Sequence, residues 1–186
     1  MVKKENQRIA LTKKLLQEGL LQLLEIKSLD KISVTELCRE SGINRATFYN
    51  HYNSPQELLN DIENRITSSL KAIIGLPKTA EEVIRQVEQV CEFFHQNSRT
   101  ILILHNCHAD ENITEILYDL NQNFQYYRMN DKFTRTMDQT NLNLVSIFFY
   151  TGCYNIILHW LKNDLQKSPK EIADLMVRLA TENFIQ

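Results

Sequence analysis

Apolar residues return every three or four positions along most of this chain, the spacing of amphipathic helices. Over 7–27 the series is Ile9, Leu11, Leu15, Leu16, Leu20, Leu23 and Leu24. Leu29 and Ile32 carry burial through a short connection. Ser33-Val34-Thr35-Glu36 then has the form of a capping box, a hydroxyl followed three residues later by a carboxylate. It predicts a short helix with Val34, Leu37 and Cys38 on one face, stopped by Gly42, the residue suited to the left-handed conformation after a helix. Ile43 packs in the turn, and Asn44 caps a third helix over 45–52. Ser54-Pro55-Gln56-Glu57 is a second capping box with proline at the first helical position. It starts a long helix to about Leu76 that carries Leu58, Leu59, Ile62, Ile66 and Leu70.

Gly75-Leu76-Pro77 is the sharpest break. Thr79-Ala80-Glu81-Glu82 caps a further helix bearing Val83, Ile84, Val87, Val90, Cys91 and Phe94. A shorter helix covers about 99–107, and 111–138 holds one or two more around a polar, aromatic-rich middle. Residues 141–164 are apolar on more than one face, and Ser168-Pro169-Lys170-Glu171 caps the last helix. These elements make an all-α chain: a three-helix helix-turn-helix head, a long fourth helix, and a helical body. The expected domains are 1–56 for the head and 57–186 for the body.

Composition narrows this further. Four glycines and three prolines in 186 residues suit an all-helical fold. Cys38, Cys91, Cys107 and Cys153 are dispersed without CxxC spacing, so a disulfide scaffold is not expected and a reducing cytoplasmic compartment is. No run of about 18 apolar residues occurs, so no membrane span is expected, and the N-terminus lacks the pattern of a signal peptide. The formal charge of −2 divides unevenly, +3 over residues 1–54 and −5 over the remainder, as suits a head that meets nucleic acid.

Two short helices joined by a tight glycine turn form the DNA-binding helix-turn-helix, whose second helix enters the major groove. Ala46 is small enough for close backbone approach, Arg45 can pair with guanine O6 and N7, and Thr47 can meet a base or a thymine methyl. Tyr49 and His51 lie further along and can reach phosphates, as can Thr35 in the first turn of the preceding helix. Phe48 and Tyr52, four residues apart, form the buried side. The strings Ile32-Ser33-Val34-Thr35-Glu36-Leu37, Ser41-Gly42-Ile43 and Thr47-Phe48-Tyr49-Asn50-His51-Tyr52 resemble the TetR/AcrR family of bacterial regulators over about residues 8–60. The resemblance implies an N-terminal DNA-binding head and a C-terminal body that dimerises and usually binds an effector. It assigns phosphate contacts to Thr35, Tyr49 and His51, base contacts to Arg45, Ala46 and Thr47, and the helix start to Asn44. One departure stands out: the family often has a phosphate-contacting lysine in the first turn of the fourth helix, where this chain has Pro55 and Gln56.

In the body, the dimer candidates are Phe148, Gly152, Ile156, Trp160, Leu175 and Leu179, on the last two long helices that pair as a four-helix bundle in the family. Effector-pocket candidates are Phe94, His95, His105, Tyr118, Phe124, Tyr127 and Phe149, each of which an ordinary core would also explain. Tyr150-Thr151-Gly152-Cys153 through His159-Trp160-Leu161 is similar to a DhaS-like subgroup. That similarity implies control by a protein co-regulator and opens activation as an alternative. Cys91 and His95 share a helix face with His105, Cys107 and His108 nearby, but this spacing matches no closed zinc module, and neither a metal nor a cofactor is expected. No GxSxG, Walker loop, GxGxxG or HExxH occurs, and Asp110, Glu111 and Asp138 have no evident catalytic partner, so an enzyme is not expected. The expected function is a homodimeric repressor on a palindromic double-stranded DNA operator, released by a small-molecule or protein effector. A helical protein-interaction module with a vestigial head is the competing class. Membrane-surface binding would need a basic amphipathic helix that the body lacks.

Overall fold

The computed structural model describes residues 2–75, 79–110, 112–118, 137–163 and 166–181, and among them the ordered elements are helices. In chain order these are α1 (Val2–Leu24), α2 (Val34–Ser41), α3 (Arg45–Tyr49), α4 (Pro55–Ile73), α5 (Ala80–Gln96), α6 (Ser98–Asn106), α7 (112–118), α8 (Gln139–Lys162) and α9 (Pro169–Thr181). A 3-10 turn at Leu29–Lys31 joins α1 to α2.

Caps set most of the boundaries. Ser33 Oγ accepts from Glu36 N, Thr79 Oγ1 from Glu82 N, and Ser54 Oγ from Glu57 N, each at 3.2 Å. Asp138, which has no evident role in the sequence, caps α8 by accepting from Asn141 N at 2.8 Å. Gly42 closes α2 at φ 67, its N–H directed to the Arg39 and Cys38 carbonyls. The third helix is shorter than expected, ending at Tyr49 instead of 52. After it the backbone winds into a turn, with His51 N and Tyr52 N both donating to Phe48 O. The reason lies downstream: Glu57 reaches back to the Asn53 N–H at 2.7 Å, so residue 53 already serves the cap of α4.

The chain divides into two compact units: Met1–Arg65 with Ile103–Ala109, and Ile66–Leu102 with Asp110–Gln186. The division falls inside α4. In the first unit, α1 packs on α2 and α2 on α3 around Leu16, Leu20, Leu37, Phe48, Leu58 and Ile62, all fully buried. Gly19 lets α1 and α2 approach closely: a Cβ there would lie 3.0 Å from Ser41 Cβ and 3.1 Å from Ser41 N. In the second unit, α5 packs chiefly on α9 and also on α8, around Val87, Val90, Phe94, Ile157, Trp160, Ile172 and Met176.

By length and composition alone α8 is apolar enough to cross a membrane, a test that a core helix of a helical body also passes, so the expectation of no span is left as it stood. Its interspersed Asn, Ser, Thr and Gly residues break every run without offsetting the isoleucines, leucines and phenylalanines. Leu142, Ser146, Tyr154, Ile157, Leu158 and Trp160 face inward, while Leu144, Ile147 and Phe148 are exposed.

Candidate nucleic-acid interface

The recognition element is built from its cap outward. Asn44 Oδ1 accepts from Thr47 N at 2.8 Å, which fixes the first turn of α3. On that turn Arg45 and Ala46 are exposed and Thr47 is half-buried, with Asn44 exposed at its start. Tyr49 is exposed, His51 half-buried, and Thr35 exposed in the first turn of α2. All seven expected contact residues thus lie in the first unit with accessible side chains. The Arg45 guanidinium sits 6.0 Å from the centre of the Tyr49 ring, so the aromatic face carries the cation along the solvent side of α3. Pro55 opens α4 where a lysine was the family expectation, and the neighbouring Gln56 side chain donates to Asn60 at 2.9 Å.

The opposite side of the element is anchored. Phe48 is fully buried and meets Tyr49 edge-on at 5.4 Å, and Tyr52 is 3% exposed. The Tyr52 hydroxyl donates to Asp61 Oδ2 at 2.7 Å, and Gln17 Nε2 donates to the same oxygen at 3.1 Å. Lys13 Nζ lies 3.9 Å from that oxygen and 5.3 Å from the centre of the Tyr52 ring. Burial, reinforced by the Asp61 carboxylate, pushes the Tyr52 phenol well above its ordinary pKa, so it stays a hydrogen-bond donor. Sequence periodicity marks Tyr52 as buried but carries no signal for Gln17 or Asp61, because the pairing spans 44 residues.

The body candidates are distributed differently from expectation. Trp160, expected at a dimer interface, is 2% exposed: it stacks on His95 at 5.3 Å, and its indole N–H donates to Lys167 O at 3.0 Å. Phe148 is 70% exposed, Gly152 is exposed, Ile156 and Leu179 are half-buried, and Leu175 is exposed.

Among the effector candidates, Phe94 is fully buried and meets Tyr154 edge-on at 6.3 Å, a core contact. Tyr118 lies edge-on to Tyr150 at 5.4 Å, and Phe149 edge-on to Phe148 at 5.5 Å. His95 is exposed, while His105 is half-buried and belongs to the first unit. Phe124 and Tyr127 lie outside the described residues. An open cleft of about 780 Å³ lies in the first unit, lined by Lys27, Ser28, Asp30, Gln56, Cys107 and His108 among others, none of them an expected effector residue.

Among the described residues no three His, Cys, Asp or Glu side chains gather as a metal site. Cys91 is buried, and desolvation pushes its thiol up to about 12. Asp110, without a partner in the sequence, accepts from the Tyr154 hydroxyl at 2.5 Å.

Comparison with known proteins agrees with this architecture. The TetR-type family model for a transcriptional regulator C-terminal region matches residues 81–182. The HTH-type transcriptional regulator YxbF of Bacillus subtilis is 23% identical over 120 residues, 63% of this chain and 32% of the relative. The chain therefore spans about a third of that relative's length. A TetR-family transcriptional regulator from Bordetella parapertussis superimposes with a TM-score of 0.70 at 13% identity, covering 92% of this chain and 95% of that one. The dihydroxyacetone kinase operon activator DhaS superimposes with a TM-score of 0.55 at 15% identity, covering 91% and 93%. At such identities the solved structures establish the fold, and the matching family is one of transcriptional regulators, not enzymes.

Proposed function

The chain belongs to the TetR family of transcriptional regulators, and from that premise we propose that it is a sequence-specific repressor acting as a homodimer on a palindromic operator. The observation that carries this reading is the capped, exposed first turn of α3 set on a buried Phe48–Tyr52 anchor. Arg45 pairs with a guanine edge, Ala46 admits the backbone to the groove, Thr47 completes the base contacts, and Asn44 holds the helix start. Thr35, Tyr49 and His51 hold phosphates and set orientation. The head spans 1–56 in this scheme, and the body pairs two chains through the exposed side of α8, where Leu144, Ile147, Phe148 and Gly152 lie, with Leu175 and Leu179 of α9. Trp160 is absent from that surface because its own unit buries it.

A ligand bound to the body releases the operator by favouring a head separation that no longer matches successive grooves. Such a ligand must bind the two states unequally. The likeness to DhaS is one of fold and does not favour activation or a protein co-regulator over repression and a small molecule.

Selection of bound fragments from genomic DNA, followed by gel shifts on the selected site, tests the proposal. The wild type is expected to prefer its site over a shuffled duplex. Arg45→Ala is expected to relax preference at one or two base pairs, by about 1–3 kcal/mol each. Tyr49→Ala is expected to weaken binding to every sequence by the same factor. A wild type that binds selected and shuffled duplexes alike at low salt overturns it.

A further inference from the structure

We propose that Asp61 is a positioning residue for operator choice: through Tyr52 it sets the attitude of α3, and hence the register of Arg45–Thr47 against the bases. The inference rests on the operator-binding reading above and adds to it a residue whose negative charge suits no phosphate contact.

Three side chains from two segments converge on one oxygen atom of α4. Tyr52, at the trailing end of the recognition element, donates to Asp61 Oδ2 from one side, and Gln17 of α1 donates from another. Lys13 of α1 approaches the same oxygen and also covers the Tyr52 ring. The apolar anchor cannot do this alone. Burial of Phe48 draws α3 onto the head, but apolar attraction is non-directional and leaves rotation about the helix axis and depth along it weakly defined. A hydrogen bond has a preferred distance and angle. Tyr52 lies seven residues, about two helical turns, beyond Arg45. The intervening five-residue helix and its hydrogen-bonded turn are short enough to move as one piece, so a tilt at the Tyr52 end displaces the Arg45 end. Tyr52 is also nearly inaccessible, so water does not readily replace the carboxylate as its partner.

The experiment measures affinity for the selected operator and for a shuffled duplex, using the full chain, together with thermal midpoints. The variants are Tyr52→Phe, Asp61→Ala and Asp61→Asn, all assayed well below their midpoints. Tyr52→Phe removes the hydroxyl and nothing else of the ring. It is expected to lower the ratio of specific to non-specific affinity about tenfold, the scale of one charge-assisted hydrogen bond, while non-specific affinity stays within about twofold. Both Asp61 variants delete a negative charge and so raise non-specific binding equally. Only Asp61→Asn keeps an oxygen able to accept from Tyr52, and it is expected to retain most of the discrimination that Asp61→Ala loses. Equal discrimination by Asp61→Asn and Asp61→Ala, or a parallel fall in both affinities that tracks the thermal midpoint, overturns the inference and leaves the operator reading intact. A wild type without operator preference overturns both.

Discussion

Phe148→Ala is the sharpest test of the proposed pairing of two copies of this chain. The ring is 70% exposed, flanked on α8 by Leu144 at 59% and Ile147 at 45%. A phenylalanine side chain carries about 200 Å² of surface, so about 140 Å² of this one faces water in the single chain. At about 25 cal/mol per Å², covering it contributes about 3.5 kcal/mol, and a two-fold axis counts it twice, for an upper limit of about 7 kcal/mol. Incomplete cover and the ordering of the ring take away about half, which leaves roughly 3 kcal/mol, or a dimer about a hundredfold weaker. The fold itself should barely register the change. The contact recorded for the exposed ring is an edge-on approach to Phe149, and a surface truncation of this kind costs about 0.5 kcal/mol or less. Sedimentation over a dilution series reads the dimer constant, and urea unfolding reads the fold. A dimer constant within twofold of the wild type refutes the assignment of this face to the interface. A large loss of stability refutes the exposure on which the estimate stands.

Gly42→Ala should lower unfolding stability by about 1–2 kcal/mol in a urea titration, because φ 67 strains any Cβ although no atom lies within 4 Å of it; Gly42→Asn should lose less. Gly19→Ala gains about 1 kcal/mol of helix propensity but drives a methyl against Ser41 Cβ, N and Cα at 3.0–3.2 Å. Overpacking against backbone costs about 1–3 kcal/mol, so a lower urea midpoint at unchanged slope is expected, and a raised midpoint would show that α1 and α2 can part. The Glu171 carboxyl is held below the ordinary glutamate value of 4.5 by the Ser168 N–H, with the Ser168 hydroxyl adding to it. A lowered folded-state pKa stabilises above the unfolded value and loses its effect as pH falls through the folded one. The gap in thermal midpoint between wild type and Glu171→Ala should therefore be open near pH 7 and close as pH drops below about 4.5; a gap unchanged in acid would show that the cap does not depend on the charge.

The head was legible in the sequence because its signals are local. Ser33, Asn44 and Ser54 each announce a helix start, Gly42 a helix end, and the caps form at those positions. What stayed hidden there was long-range. Nothing near Gln17 or Asp61 in the chain indicates that the Asp61 carboxylate accepts from both Gln17 and Tyr52, and nothing near Gly19 indicates that Ser41 will press against it. The early end of α3 was hidden for another reason, since residues 50–52 keep helix-like spacing while the backbone is already turning toward the cap of α4. In the body the difficulty was the opposite, too much signal. α8 is apolar on most sides, so spacing alone could not separate Trp160, which its own unit buries, from Phe148, which it leaves in water. Asp110 and Asp138 looked idle only because one partner is a tyrosine on another helix and the other a backbone N–H.

A recognition helix of five residues has a small vocabulary. On the proposed reading its first turn offers about three side chains to base edges, enough to spell a word of roughly three or four base pairs. Such a word recurs by chance about every 60 to 260 base pairs, against about a million or more competing sites in a genome. The rest of the address must be written in the interval between two such words. In a two-headed reader that interval belongs to the body. A substitution on α8 that rotates one copy against the other could then redirect the protein to a different set of genes while every residue from Asn44 to Tyr52 stays as it is.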